Sequence, residues 1–288
     1  MPKLMYLSYG PGIHEQGLIF SLYSAFRWGL PVENGYEVVI YTDRPRTFDG
    51  LPVTVRLLSA AELTEWAGPA QFIYRRKILA LSDALRDSVG PTILIDADTY
   101  FLANPCKLFA RIRPGQSLMH ICEGRVGPLA PNSEFTELVR EHRFQGRAGG
   151  VIAASPASPQ WNAGVVGLHS DDAPLLEDVL HLSDAFCQRT SDRTAEQLAF
   201  SIILEARTRI VKASDIVVHY WPPYIRRPFE SRLPQMLQEI AKLPPEQRYE
   251  AAYSQRPRPT LPRRGKVLFK RAAKRAGFLA GRVASREW

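Results

Sequence analysis

The sequence predicts an α/β fold: a mostly parallel sheet covered by helices on both faces, in a single domain. Three observations predict it. Strand-like and helix-like segments alternate through the first half of the chain. The strand-like segments are continuous apolar runs, as expected of strands buried on both faces. A chain of 288 residues that is 45% apolar is long enough to bury a large core.

In order, "KLMYLSY" reads as a first strand and "EQGLIFSLYSAFRWG" as a helix. Leu18, Leu22, Tyr23 and Phe26 share one side of that helix, and Gly29 ends it. "YEVVIYTD" is a β-branched run, "AQFIYRRKILALSDAL" returns to helical spacing, and "PTILID" is the next strand. Residues 123–161 are rich in Gly, Pro, Ser and Arg around a short helix-like stretch, 133–143. A connection of that length is expected to be functional or mobile, and Arg125, Arg140, Arg143 and Arg147 suit a cationic lid. "AGVVGLH" is a strand, "APLLEDVLHLSDAFCQR" and "RTAEQLAFSIILEAR" are helices, and "TRIVK" and "DIVVHY" are short strands. Residues 222–262 are Pro-rich and read as a wrapping segment with one helix near 229–242. No internal repeat is visible.

The net charge of +8 is unevenly spread. Residues 263–288 hold nine Lys or Arg and one acid, Glu287, so the body, 1–262, carries 28 basic and 28 acidic side chains. A neutral body argues against nucleic acid as a partner. The tail projects as an amphipathic helix, with Leu268, Phe269 and Leu279 on one side and Lys266, Lys270, Lys274, Arg275 and Arg282 on the other. That pattern suits an anionic membrane surface, a protein partner or a solvated tail, and the membrane is the expectation. No apolar run approaches the roughly 18 residues of a membrane span. "MPKLMYLSYGPG" reads as a core strand and not a signal peptide. Three scattered cysteines fit a reduced, cytoplasmic chain. The expected location is therefore cytoplasmic, peripheral on the inner face of the membrane through the tail.

The segment "TILIDADTYFLANP" ends a buried strand with Asp96 and Asp98. Side chains at i and i+2 of an extended segment point the same way, so two like charges meet there unless a cation or water intervenes. A metal site and a solvated turn both satisfy this stretch taken alone. In parallel sheets ligands bind at the carboxyl ends of strands, where Asp43, Asp96 and Asp98 all fall.

Four segments, in order, carry a resemblance: "LIDADTYFLANP", "WNAGVVGLH", "AEQLAFS" and "VVHYW". Together they resemble the glycosyltransferases of the GT-A fold, particularly the retaining glycogenin-like and lipopolysaccharide-galactosyltransferase-like group, over about residues 3–221. The resemblance implies a Rossmann-like, mostly parallel sheet and metal-dependent transfer of a sugar from a nucleotide-diphosphate sugar, UDP-linked in the usual pattern, to a glycan or lipid-linked acceptor. It further implies Mn²⁺, or Mg²⁺, held by Asp96, Asp98 and His219, with Asp96 also touching the donor. A hard ion between carboxylates neutralises the charge of a departing diphosphate. Asn162, Glu196 and Gln197 match residues that contact the donor sugar, with Gln197 beside the anomeric carbon, and Gly164 gives room for close approach. Arg75, Arg76 and Lys77 match the region of a cation near the diphosphate; one sequence does not say which of them faces inward. Asp43 falls where a carboxylate meets the nucleoside. Ordinary alternatives stand beside these roles: a core histidine at 219, a turn at 162–164, a first-turn acid at 196, a solvated basic face at 75–77.

Two departures mark the chain. "LSYGPG" replaces the polar run that reads the base in the family, leaving Tyr9 as a stacking surface. "PPYIRRPF" offers Arg226 and Arg227 where a Gly and Lys usually close on the diphosphate. A catalytically inactive sugar- or nucleotide-binding protein is the alternative. A haloacid-dehalogenase-type phosphatase fits less well, because Thr99 comes one position too early for its motif.

Overall fold

The computed structural model describes residues 1–129, 134–141, 143–146, 150–190 and 192–258. Strands β1 (Lys3–Ser8), β2 (Glu37–Thr42), β3 (Thr54–Leu57) and β4 (Pro91–Ile95) run parallel, with α1 (Ile13–Phe26), α2 (Ala60–Ala67) and α3 (Arg75–Arg86) among their connections. The chain continues through β5 (Thr99–Phe101), α4 (Cys106–Phe109) and β6 (Gln116–Met119). Then come β7 (Cys122–Arg125), α5 (Val126–Leu129), α6 (Glu134–Glu141), β8 (Phe144–Gln145), β9 (Val151–Ile152) and β10 (Pro159–Trp161). The last third holds β11 (Val165–His169), α7 (Leu175–Cys187), α8 (Ala195–Arg207), β12 (Arg209–Lys212) and β13 (Val217–His219). Helices α9 (Pro223–Glu230), α10 (Leu233–Ala241) and α11 (Pro245–Ser254) follow.

Seven strands form one mixed sheet in the order β3-β2-β1-β4-β11-β6-β12, in which β11 alone runs against the rest. The fold is thus α/β with a mostly parallel sheet flanked by helices, compatible with a Rossmann-like arrangement. Alternation along the central strands feeds two cores. Leu4 and Tyr6 of β1 and Ile93 and Ile95 of β4 pack with Leu18, Leu22 and Phe26 of α1. Met5 and Leu94 face the other way, toward Ile78, Leu81, Leu182, Phe186 and Leu198 of α3, α7 and α8. All of these are essentially solvent-free, and each large apolar side chain so buried contributes roughly 1.5–3 kcal/mol.

The reversed strand places the site. Antiparallel pairing of β11 with β4 sets Val165 opposite Ile95, so the end of β4 lies beside the start of β11. The Asp96 amide consequently donates to the Gly164 carbonyl at 2.9 Å. On the other side of β11, His120 N donates to Asn162 O at 3.1 Å and Asn162 N to Ile121 O at 2.8 Å. Separately, β13 pairs antiparallel with β5, placing His219 opposite Thr99, and Tyr220 N donates to Asp98 O at 3.0 Å. Backbone hydrogen bonding alone therefore gathers residues 96–98, 120–123, 162–164 and 219 at the carboxyl end of β4, inside the sheet's two edges.

The structure corrects the sequence reading of two regions. The stretch 123–161 is not an irregular loop throughout: β7 pairs with β10 and β8 with β9, and α6 matches the helix-like stretch. Arg125, Arg140 and Arg143 are exposed there, and Arg147 lies outside the described residues. The Pro-rich segment after 221 contains α9, α10 and α11, where one helix was expected. Prolines at the first turn of each helix cost nothing, because the amide they lack has no partner there. Met1–Arg256 forms one compact unit; the tail, 263–288, lies outside the described residues. Among the described residues no helix is long and apolar enough to cross a membrane.

Candidate active site

At the carboxyl ends of β1 and β4 opens a cavity of about 570 Å³. Asp96, Asp98 and His219 meet in its wall, each offering one ligand atom within 4.8 Å of the others. Two hard carboxylate oxygens and an imidazole nitrogen at this spacing fit a divalent ion.

Each carboxylate has a cationic neighbour. Lys77, on the first turn of α3, places Nζ 2.9 Å from Asp96 Oδ1 and 2.9 Å from Glu196 Oε1. It also donates to Ala163 O at 3.1 Å. Burial pulls the Lys77 ammonium down, but Asp96 and Glu196 outweigh it and leave the pKa above the ordinary lysine range. Burial lifts the Glu196 carboxyl against the pull of Lys77. Asp98 Oδ1 lies 3.0 Å from His219 Nε2, and Arg226 Nη1 is 3.8 Å from Asp98 Oδ2. Burial pushes the Asp98 carboxyl up; His219, helped by Arg226, reverses this and brings it down to about 2. For His219 burial acts downward, but Asp98 and then Asp96 raise its pKa above the ordinary value.

Asn162 is fully engaged. Its Oδ1 accepts from Gly164 N at 2.9 Å and from His219 Nδ1 at 2.8 Å, while its Nδ2 donates to Glu123 Oε1 at 3.1 Å. Gln197, on the first turn of α8, accepts from Ala163 N at 3.1 Å and donates to Glu123 Oε2 at 3.2 Å. Glycine at 164 is required by His219: a Cβ there would stand 2.2 Å from His219 Nδ1. The room expected beside Gly164 is thus filled by the imidazole.

Of the residues singled out in the sequence, Tyr9, Lys77, Asp96, Asp98, Asn162, Gly164, Glu196, Gln197, His219 and Arg226 all line the cavity. Two are held elsewhere. The Arg75 guanidinium is taken up by Asp184 on α7, at 2.8 and 3.2 Å, and by the Trp66 carbonyl at 3.2 Å. Asp43 accepts from the Gly10 amide at 3.0 and 3.2 Å, tying the β1–α1 loop to the end of β2. Neither belongs to the cavity lining. Arg76 lies over the Tyr9 ring, 4.5 Å from its centre, which leaves Lys77 as the inward-facing cation of its trio. Sequence reasoning missed Glu123, His14, Tyr74, Gln160, Arg193 and Trp221, which also line the cavity. Only Trp221, inside "VVHYW", had a motif to draw attention to it. In comparisons with known proteins, no family model matches the chain and no curated protein matches it in sequence.

Proposed function

We propose that the protein is a glycosyltransferase of the GT-A fold that transfers a sugar from a nucleotide-diphosphate donor, a UDP-sugar in the first instance, to a glycan or lipid-linked acceptor. The observation that carries this is the convergence of Asp96, Asp98 and His219 at the cavity wall, flanked by Lys77 and Arg226. Strand-end carboxylates with two adjacent cations suit a metal-bridged diphosphate better than a neutral ligand. Mn²⁺ or Mg²⁺ held by these three residues would neutralise charge on the departing diphosphate.

The chain's own groups supply the rest. Lys77 and Arg226 would balance the remaining phosphate charge from either side of the metal ligands. Tyr9, with Arg76 over its ring, gives the cavity an aromatic wall suited to a base. Glu196 and Gln197 would face the sugar, the Gln197 amide oxygen stabilising positive charge at the anomeric carbon. In the transfer, the bond from the anomeric carbon to the diphosphate oxygen breaks and its electron pair leaves with the diphosphate. The acceptor hydroxyl oxygen bonds to that carbon, and its proton passes to the departing diphosphate oxygen. Delivery on the leaving-group face retains configuration. The proposal extends to location, with the basic tail holding a cytoplasmic enzyme on the inner face of the membrane.

The test is release of nucleoside diphosphate from a panel of nucleotide sugars with Mn²⁺, followed by NMR of the product linkage where an acceptor is found. Asp98→Ala should abolish turnover, since a lost metal ligand is not replaced, while the protein stays folded. Undiminished turnover in that variant or in chelator refutes the proposal, and an inverted linkage refutes retention.

A further inference from the structure

We infer that Glu123 is a positioning residue that sets, through Asn162, which nitrogen of His219 faces the metal; this rests on the metal reading above. No motif singled out Glu123, yet it stands on β7 in the cavity wall and receives two side-chain amides. An ionised carboxylate accepts hydrogen bonds and donates none. Both amides must therefore turn their NH₂ groups toward it, Asn162 at 3.1 Å and Gln197 at 3.2 Å. Their oxygens then point away, and each meets a donor: Asn162 Oδ1 takes the Gly164 amide at 2.9 Å, and Gln197 Oε1 takes the Ala163 amide at 3.1 Å. Because backbone amides only donate, both ends of each side chain demand the same orientation.

The consequence reaches the metal ligand. With Asn162 Oδ1 fixed as an acceptor 2.8 Å from His219 Nδ1, that nitrogen carries a proton. In the neutral ring the lone pair is then on Nε2, the nitrogen 3.0 Å from Asp98 Oδ1. The chain of bonds Glu123–Asn162–His219–Asp98 thus runs from the far wall of the cavity to the metal ligands. Partners of this kind orient the ligating imidazole, and their loss typically weakens metal binding by about 10–100-fold.

The substitution Glu123→Gln presents one donor and one acceptor to two donors. One amide must then flip against its backbone N–H, or the link to Asn162 is given up. Titration of the full chain with Mn²⁺ alone, read by calorimetry and by electron paramagnetic resonance, should show affinity weakened at least about tenfold. Adding Asn162→Asp to that variant reverses the polarity of the lost bond: the new amide at 123 donates to the new carboxylate at 162 and still accepts from Gln197. The double variant should bind Mn²⁺ within about threefold of the unsubstituted protein, a rescue that a merely structural role for Glu123 does not produce. Should Glu123→Gln fail to fold, Asn162→Asp serves as the single variant. It sets two carboxylates face to face, and Glu123→Gln should restore its affinity. Unchanged Mn²⁺ affinity in the single variant, or no recovery in the double, overturns the inference while leaving the metal reading intact. Absence of Mn²⁺ binding by the unsubstituted protein overturns both.

Discussion

His120 sits behind His219, their ring centres 5.6 Å apart, with Nε2 donating to the Val217 carbonyl at 3.0 Å. Its Nδ1 meets no partner among the described residues. Burial, and then the repulsion of His219, brings its pKa from 6.5 down to about 4. A histidine whose native pKa is depressed stays neutral in the fold while the unfolded chain takes up the proton. Its contribution is complete above 6.5 and is lost as pH falls toward 4. His219, shifted upward, works the other way, its contribution being fully present below 6.5 and lost only as pH rises, and Asp98 begins to cost stability only below its ordinary 3.8. At pH 4.5 the fold should therefore be weaker than at pH 7 by about 2–3 kcal/mol from His120 alone, measured by urea denaturation. His120→Gln, whose amide keeps the Val217 bond, should remove most of that fall; an unchanged pH slope would refute the assignment. At this scale the candidate metal ligands were legible because an Asp-x-Asp pair and a His sit at strand ends in motif context. Glu123 and His120 were not, since their importance comes from the pairing of β6 and β7 with distant strands. Arg75 and Lys77 were indistinguishable until α3 acquired a rotational setting against the sheet, which turns one to Asp184 and the other to Asp96.

At the scale of elements, the last three helices are held by an aromatic cluster rather than by the sheet. Phe229 of α9 is buried against Phe20 of α1 at 4.8 Å between ring centres and against Tyr220 at 5.1 Å. Leu233, Met236 and Ile240 of α10 complete that core. Because Tyr220 directly follows His219, this packing also steadies the end of β13. Phe229→Ala should cost about 3–5 kcal/mol, the range for deleting a fully buried aromatic ring, and would be measured as a shift in the urea midpoint. A loss under 1 kcal/mol would mean that α9 contributes little to the fold. Those helices were hard to read because prolines interrupt the segment, and sequence pattern alone treats them as breaks, whereas Pro223, Pro234 and Pro245 sit in first turns and Pro228 is carried inside α9. The strands β1, β2, β4 and β11 were legible as unbroken apolar runs. β6, "QSLM", was not: four residues with good helix formers become a strand only by pairing with β11 and β12.

For the molecule as a whole, charge separates the body from its tail. Residues 1–262 hold equal numbers of basic and acidic side chains, 28 of each, so long-range attraction to an anionic surface cannot come from the body's net charge. The last 26 residues hold nine basic side chains against one acid. Each Lys or Arg near an anionic bilayer contributes about 1 kcal/mol within a Debye length of roughly 8–10 Å. Several acting together, with Leu268, Phe269 and Leu279 supplying apolar contact, would be enough for the reversible binding proposed. Full-length protein should sediment with vesicles containing anionic lipid and be released as salt is raised, while neutral vesicles leave it in solution. Truncation after Pro262 should abolish sedimentation yet leave Mn²⁺ binding unchanged, because every residue of the candidate site lies before that point. Sedimentation of the truncated protein, or binding indifferent to lipid charge and salt, would show that the tail is not a membrane anchor.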